Sequence, residues 1–201
     1  MDKKALLKEL IKDKGIVIPE KPVKLSGGGE SLYYYDIKKV VLDPKGLDLA
    51  SDLALEIISG LQAKSVGGLE VGSIPFAAAI SLKSSMTSNP LSAFIVRKKT
   101  KEHGLQKEIE GNLESPVVIV DDVITQGKSI LETVDKIVKQ RREVVGVIAI
   151  VDREEGINEE QLRDRNIELF RIFRHSDFKD FIDRQVVLKL KHISLFNCRL
   201  L

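Results

Sequence analysis

Cysteine is almost missing from this chain: Cys198 is the one example in 201 residues. That excludes an intramolecular disulfide and any metal site built from several cysteines. Long apolar runs are missing too, so no transmembrane helix and no membrane partner are expected. The first residues, MDKKALLKELIKDKG, lack the unbroken apolar stretch of a signal peptide. Neither charge dominates: 32 Lys and Arg stand against 30 Asp and Glu, a net charge of +2. Acids and bases are intermixed along the chain, which gives no support to nucleic acid as a partner. There is no tandem repeat and no low-complexity linker. A cytoplasmic protein is the expectation.

What is present suits a single domain with a real core: 43% of residues are hydrophobic and 31% are charged. Residues 2–13 read as an amphipathic helix with Leu6, Leu7, Leu10 and Ile11 on one face. Residues 23–36 read as an irregular hood, with Gly27, Gly28 and Gly29 followed by Tyr33, Tyr34, Tyr35 and Asp36. A helix is predicted over 46–61, with Leu49, Leu53, Ile57 and Leu61 at helical spacing. From there strands and helices alternate. Strands are predicted over 64–66, 93–97, 117–120 and 144–151; helices are predicted over 74–82 and 129–140, the second with Ile130, Val134, Ile137 and Val138 inward. The run Val117-Val118-Ile119-Val120 suits a strand buried on both faces. Such alternation means an α/β fold with a mainly parallel central sheet flanked by helices. Ligands of such sheets bind beyond the carboxyl ends of the strands.

One segment carries most of the chemistry: Val117-Val-Ile-Val-Asp121-Asp122-Val123-Ile124-Thr125-Gln126-Gly127-Lys128-Ser129-Ile130. An apolar strand meets two adjacent carboxylates, and a small polar loop then opens a helix. Carboxylates at a strand end can accept hydrogen bonds from sugar hydroxyls. Loop amides and hydroxyls at a helix N-terminus bind phosphate, helped by the helix dipole. A plainer reading stands beside this one, because Ser129 and Glu132 also fit a capping box. A P-loop is excluded: it would need glycine where Asp122 stands.

This segment resembles the PRPP (5-phosphoribosyl 1-diphosphate) signature of type I phosphoribosyltransferases, and most of all their orotate-specific branch. Three further segments carry the resemblance, which spans roughly residues 20–180. Arg97-Lys98-Lys99-Thr100-Lys101-Glu102-His103-Gly104 is similar to a family loop that closes over diphosphate. Gly67-Gly-Leu-Glu70-Val71-Gly72-Ser73 sits where the family binds diphosphate; one subgroup has Lys at the place of Gly72, and this chain follows the other form. Leu25-Ser26-Gly27-Gly28-Gly29-Glu30-Ser31-Leu32-Tyr33 resembles the family's hood, with Ser26 where many relatives have Lys and Gly27 in place of a serine. Arg153, after the strand over 144–151, stands where the family grips the orotate carboxylate.

The resemblance implies a type I phosphoribosyltransferase-like fold over residues 1–184, with a small N-terminal hood over about 1–40 and an unassigned tail over 185–201. It implies a pentosyltransferase that joins PRPP to orotate, giving orotidine 5′-monophosphate and diphosphate in pyrimidine biosynthesis. The alternatives are a phosphoribosyltransferase for another base and a PRPP-binding regulatory paralogue. Asp121, Asp122, Lys101 and His103 would be catalytic. Arg97, Lys98 and the stretch Val123, Ile124, Thr125, Gln126, Gly127, Lys128 and Ser129 would complete the PRPP site. Glu70, Val71, Gly72 and Ser73 would form the diphosphate loop, and Tyr34, Tyr35, Thr125 and Arg153 the orotate site. The tyrosines equally fit half-buried strand residues. Mg²⁺ would be held through PRPP and water with no dedicated protein ligand. A homodimer is implied, sharing the loop over 98–116 across its interface.

Overall fold

The computed structural model describes residues 2–24, 28–98, 107–157 and 159–197, with side chains described to Lys191. Lys101 and His103 lie outside the described residues, as do Ser26 and Gly27.

The N-terminal helix α1 (Lys3–Leu10) widens into a π-helical turn, Ile11–Gly15. Leu7 and Ile11 are fully buried and pin it to the core. Two small antiparallel pairs follow and form the hood. Strand β1 (Ile16–Val17) pairs with β4 (Tyr34–Tyr35), and β2 (Val23–Lys24) pairs with β3 (Glu30–Ser31). A short helix α2 (Lys38–Val41) leads to α3 (Pro44–Ile58). Asp43 caps α3 by accepting hydrogen bonds from the Lys45 and Gly46 amides, each at 3.0 Å, and Pro44 fills the first helical position.

The central sheet comes next: β5 (Ser65–Leu69), α4 (Ser73–Ser84), β6 (Ser92–Val96), β7 (Ile109–Gly111), β8 (Val117–Ile124), α5 (Lys128–Lys139), β9 (Val144–Asp152), α6 (Glu159–Arg163), β10 (Glu168–Arg174) and α7 (Lys179–Asn197). Its order is β10-β9-β8-β5-β6-β7, parallel throughout except for the antiparallel edge strand β7. Successive residues of β8 serve opposite faces. Val118 and Val120 join the core under α3 and α4, while Val117 and Ile119 join the core under α5. All four are fully buried, as a parallel strand covered on both faces requires.

Several boundaries differ from the sequence expectation. Strand β5 extends through Gly67, Gly68 and Leu69, past the strand expected over 64–66. A Cβ on Gly67 would stand 2.1 Å from the Phe94 carbonyl oxygen, and one on Gly68 would stand 2.2 Å from that of Val120. These glycines therefore serve close strand packing. Strand β8 continues through both carboxylates to Ile124. On α3 the buried stripe is Leu49, Ala50, Ala54 and Ile58, with Leu53 and Ile57 packed at its margin. On α5 Thr133 is buried and Val138 is half exposed, because the helix is rotated toward Ile130 and Val134. Residues 185–197, given no element by the sequence, continue α7.

Candidate active site

Strand β5 is the branch point of the sheet. From it the chain winds first to β6 on one side, then to β8 on the other. The loops leaving β5 and β8 therefore diverge, and their carboxyl ends open a crevice of the kind that binds ligands in α/β sheets. A cleft of about 760 Å³ lies there. It is walled by Tyr34, Tyr35 and Lys38 of the hood side, Glu70, Val71 and Gly72 after β5, Lys98 after β6, and Asp121, Asp122, Val123, Thr125 and Ser129 of the β8–α5 segment. Lys24, Leu69 and Arg153 complete the lining.

The carboxylates sit in the last half of β8 rather than beyond it. Asp122 is 7% exposed, and its Oδ2 is buried without a hydrogen-bond partner. The Asp122 amide donates to Asp121 Oδ1 at 3.0 Å. Asp121 is half-buried and lines the cleft. Burial foremost, then the charge of Asp122, pushes its pKa well above the ordinary carboxylate range. Asp122 Oδ2 lacks a hydrogen-bond donor, and sugar hydroxyls are donors.

The following loop ends at Gly127, which takes a left-handed φ of 74° and starts α5 with no side-chain capping bond. A Cβ at Gly127 would collide with Ile157 at 2.5 Å as well as strain the backbone. The expected capping box is not formed: Glu132 instead pairs with Lys136 at 2.8 Å. The Ser129 hydroxyl and the first amides of α5 are thus left for an anion. Ile124 is buried in the core, and Lys128 points to an exposed surface; neither these two nor Gln126 and Gly127 line the cleft, so any role they have is through the backbone or packing.

After β5 the chain turns at Glu70–Gly72, where the Glu70–Val71 peptide is cis. Glu70 Oε1 accepts from the Lys98 amide at 3.0 Å, which ties this turn to the end of β6. Ser73 is buried, and its hydroxyl donates to the Leu69 carbonyl oxygen at 2.7 Å; only its backbone remains available to a ligand. Arg97 does not line the cleft either. Its Nη1 is 3.7 Å from Glu110, and its carbonyl oxygen accepts from Lys136 at 2.8 Å.

The hood tyrosines divide in role. Tyr34 is 39% exposed at the cleft, whereas Tyr35 is 2% exposed. The Tyr35 hydroxyl shares a hydrogen bond of 3.1 Å with His175 Nδ1. Burial foremost pushes the Tyr35 pKa far up, so its hydroxyl stays protonated. Tyr33 stacks on His175 at 5.1 Å, and the Arg153 guanidinium stands 5.4 Å over the Tyr33 ring. Arg153 is 6% exposed; its Nη2 is 2.8 Å from Glu155 Oε1, and its Nε has no partner. Asp152 beside it is structural: it accepts from Arg171 Nε at 2.5 Å and from the Glu154 amide at 2.8 Å. Sequence reading singled out neither Lys24 nor Lys38. The signal for Lys38 was its place just past the Tyr33–Asp36 string.

Comparison with known proteins agrees with this geometry. Residues 39–180 match the phosphoribosyl transferase domain family. An orotate phosphoribosyltransferase of Aquifex aeolicus is 39% identical over 174 residues, covering 85% of this chain and 94% of the relative. One of Pyrococcus furiosus is 42% identical over 139 residues, covering 67% and 74%. The crystal structure of Mycobacterium tuberculosis orotate phosphoribosyltransferase in complex with PRPP superposes with a TM-score of 0.72 at 30% identity, covering 89% of this chain and 99% of that one. With its parallel sheet, its switch-point cleft and these likenesses, the chain belongs to the phosphoribosyl transferase family, in the branch of the orotate phosphoribosyltransferases.

Proposed function

We propose that this chain transfers the 5-phosphoribosyl group of PRPP to orotate, giving orotidine 5′-monophosphate and diphosphate, a step of pyrimidine biosynthesis. The observation that carries the reading is the β8–α5 segment: a carboxylate pair with an unfilled buried oxygen beside an uncapped helix N-terminus, in one cleft. The relatives' names supply the base.

Breaking the anomeric C–O bond leaves positive charge on the ribose and negative charge on the diphosphate. Asp121 and Asp122 hold the ribose hydroxyls, fixing the sugar for attack by the base nitrogen. The Thr125–Ser129 loop and the first turn of α5 hold the 5′-phosphate. Lys98, with Lys101 and His103 of the following loop, gathers over the departing diphosphate. Tyr34 and Tyr35 form the wall against which the base lies, and Arg153 meets its carboxylate. No covalent nucleophile is needed, because positioning and electrostatics supply the rate.

The residues present fit Mg²⁺ carried by substrate. The Asp121–Asp122 pair, with an oxygen that lacks a hydrogen-bond partner, suits an ion arriving with phosphates and water. When bound, Mg²⁺ neutralises diphosphate charge. A homodimer in the cytoplasm, sharing the loop over 98–116, completes the proposal; no described helix is long and apolar enough to cross a membrane.

Steady-state assays with Mg-PRPP and a panel of bases test the reading. Turnover is expected with orotate. Turnover with a purine and none with orotate would reassign the base, and PRPP binding without turnover of any base would make the chain a regulator.

A further inference from the structure

We propose that Lys38 is a PRPP-contacting residue, a cation that faces Asp122 in the free protein and takes a diphosphate oxygen when substrate arrives. This rests on the PRPP reading above.

Lys38 opens α2 and reaches the cleft from the hood side. Its Nζ stands 3.7 Å from Asp122 Oδ2, which is ion-pair distance, yet Oδ2 has no hydrogen-bond partner. The ammonium is thus held by charge and not by a directed bond, and it is free to be shared. The turn after β5 presses on the same carboxylate from another side. A Cβ on Gly72 would stand 2.3 Å from Asp122 Oδ1 and 3.0 Å from Oδ2. A side chain at position 72 would displace Asp122, so this turn can bring backbone but no cation of its own. Its one charged member, Glu70, is an anion.

A diphosphate seated on this turn needs positive charge from a neighbouring element. Lys38 is the lining cation ion-paired to Asp122. Its side chain is 45% exposed, enough to swing between carboxylate and phosphate. Burial by itself would lower its pKa; its surroundings, the Asp122 carboxylate foremost, outweigh burial and raise it. In the free protein Lys38 offsets repulsion between Asp121 and Asp122. In the complex the ribose hydroxyls satisfy Asp122, and the ammonium becomes available to phosphate.

Calorimetric titration of wild type, Lys38→Ala, Lys38→Gln and Lys38→Arg with Mg-PRPP, inorganic diphosphate and ribose 5-phosphate tests this. Lys38→Ala and Lys38→Gln should weaken PRPP and diphosphate by about 10- to 100-fold, the loss expected for one charge-assisted hydrogen bond. Ribose 5-phosphate should bind as to wild type, because its phosphate sits on α5. Lys38→Arg should recover most of the loss. Unchanged diphosphate binding in folded Lys38→Ala and Lys38→Gln overturns the proposal, as does equal weakening of ribose 5-phosphate or failure of arginine to rescue. Failure of wild type to bind PRPP would instead overturn the reading on which it rests.

Discussion

The Arg153 guanidinium, proposed above to meet the orotate carboxylate, is already held by a carboxylate of its own chain: its Nη2 lies 2.8 Å from Glu155 Oε1. Glu155 is partly exposed, while Arg153 is almost completely buried. A substrate carboxylate must therefore share the guanidinium with Glu155 or displace it. Arg153 Nε, buried and unpartnered, is a donor that no hydrogen bond uses.

Losing Arg153 should be costly. A buried charge that loses its partner costs on the order of 2–5 kcal/mol, a factor of roughly 30 to several thousand. Arg153→Ala is expected to lower kcat/KM for orotate within that range while PRPP affinity stays near wild type. Unchanged orotate use would mean that Arg153 serves only to brace Tyr33.

Releasing Arg153 from Glu155 should have the opposite sign. Partly exposed ion pairs contribute about 0.2–1 kcal/mol, so Glu155→Gln should lower KM for orotate by roughly 1.4- to 5-fold. Raised salt should shrink the difference between variant and wild type. A KM that rises instead would show that Glu155 positions Arg153 and does not compete for it.

Asp121 gives a prediction for stability as well as activity. Its folded pKa is raised by burial and by Asp122, so its protonated form stabilises the fold at low pH. That stability is complete below its ordinary pKa of about 4 and is lost as pH rises through the higher folded value. Asp121→Asn should accordingly raise the thermal midpoint at neutral pH, by about 2–4 °C per kcal/mol for a chain of this size. The gain should fade as pH approaches 4. The double variant Asp121→Asn, Asp122→Asn should remain folded and transfer no phosphoribosyl group; near-normal turnover would remove the carboxylates from the mechanism.

His175 carries a pH dependence of the opposite sense. Burial foremost lowers its pKa, so the neutral ring is the form compatible with the fold. The stability it contributes is present above about pH 6.5 and is lost as pH falls through the lowered value. Replacing it by glutamine should flatten the change in unfolding midpoint between pH 7 and pH 5, measured against wild type in the same buffers. Tyr35→Phe, which removes the 3.1 Å hydrogen bond to His175, should destabilise by about 0.5–1.5 kcal/mol.

Sharing of sites between subunits can be tested by mixing. Lys101→Ala and Asp121→Asn proteins should each be nearly inactive. If the loop over 98–116 serves the neighbouring subunit, a 1:1 mixture after subunit exchange should regain about a quarter of wild-type activity, from statistical pairing in a two-fold dimer. Absence of recovery with exchange demonstrated would count against shared sites.

Much of the fold is legible in the sequence because its signals are local. The β-branched run Val117–Val120 can only be a strand covered on both faces, and the alternation around it dictates a parallel sheet. Strand lengths are less legible. Gly67 and Gly68 look like a loop until Phe94 and Val120 are seen packed where their side chains would be. Asp121 and Asp122 look like a terminus, yet pairing with Ala149 and Val151 of β9 carries β8 past them. Strand β10 escaped notice because its run, Glu168-Leu-Phe-Arg-Ile-Phe-Arg174, mixes edge exposure with a buried arginine, Arg171, that is paired to Asp152.

The candidate site shows the same division. By itself the sequence determined the segment proposed to bind phosphate, since carboxylate pair, loop and helix start are contiguous and their chemistry is set by neighbours in the chain. Which groups share the cleft was decided only by the tertiary structure. It brings Lys38 to Asp122, Gly72 under the same carboxylate, and Glu155 to Arg153, while it turns Arg97 toward Glu110 and buries the Ser73 hydroxyl. The physical reason is that ion pairs and close contacts depend on distance in space. Residues 38, 72 and 122 meet because β5 lies beside β8 and the hood folds over their carboxyl ends.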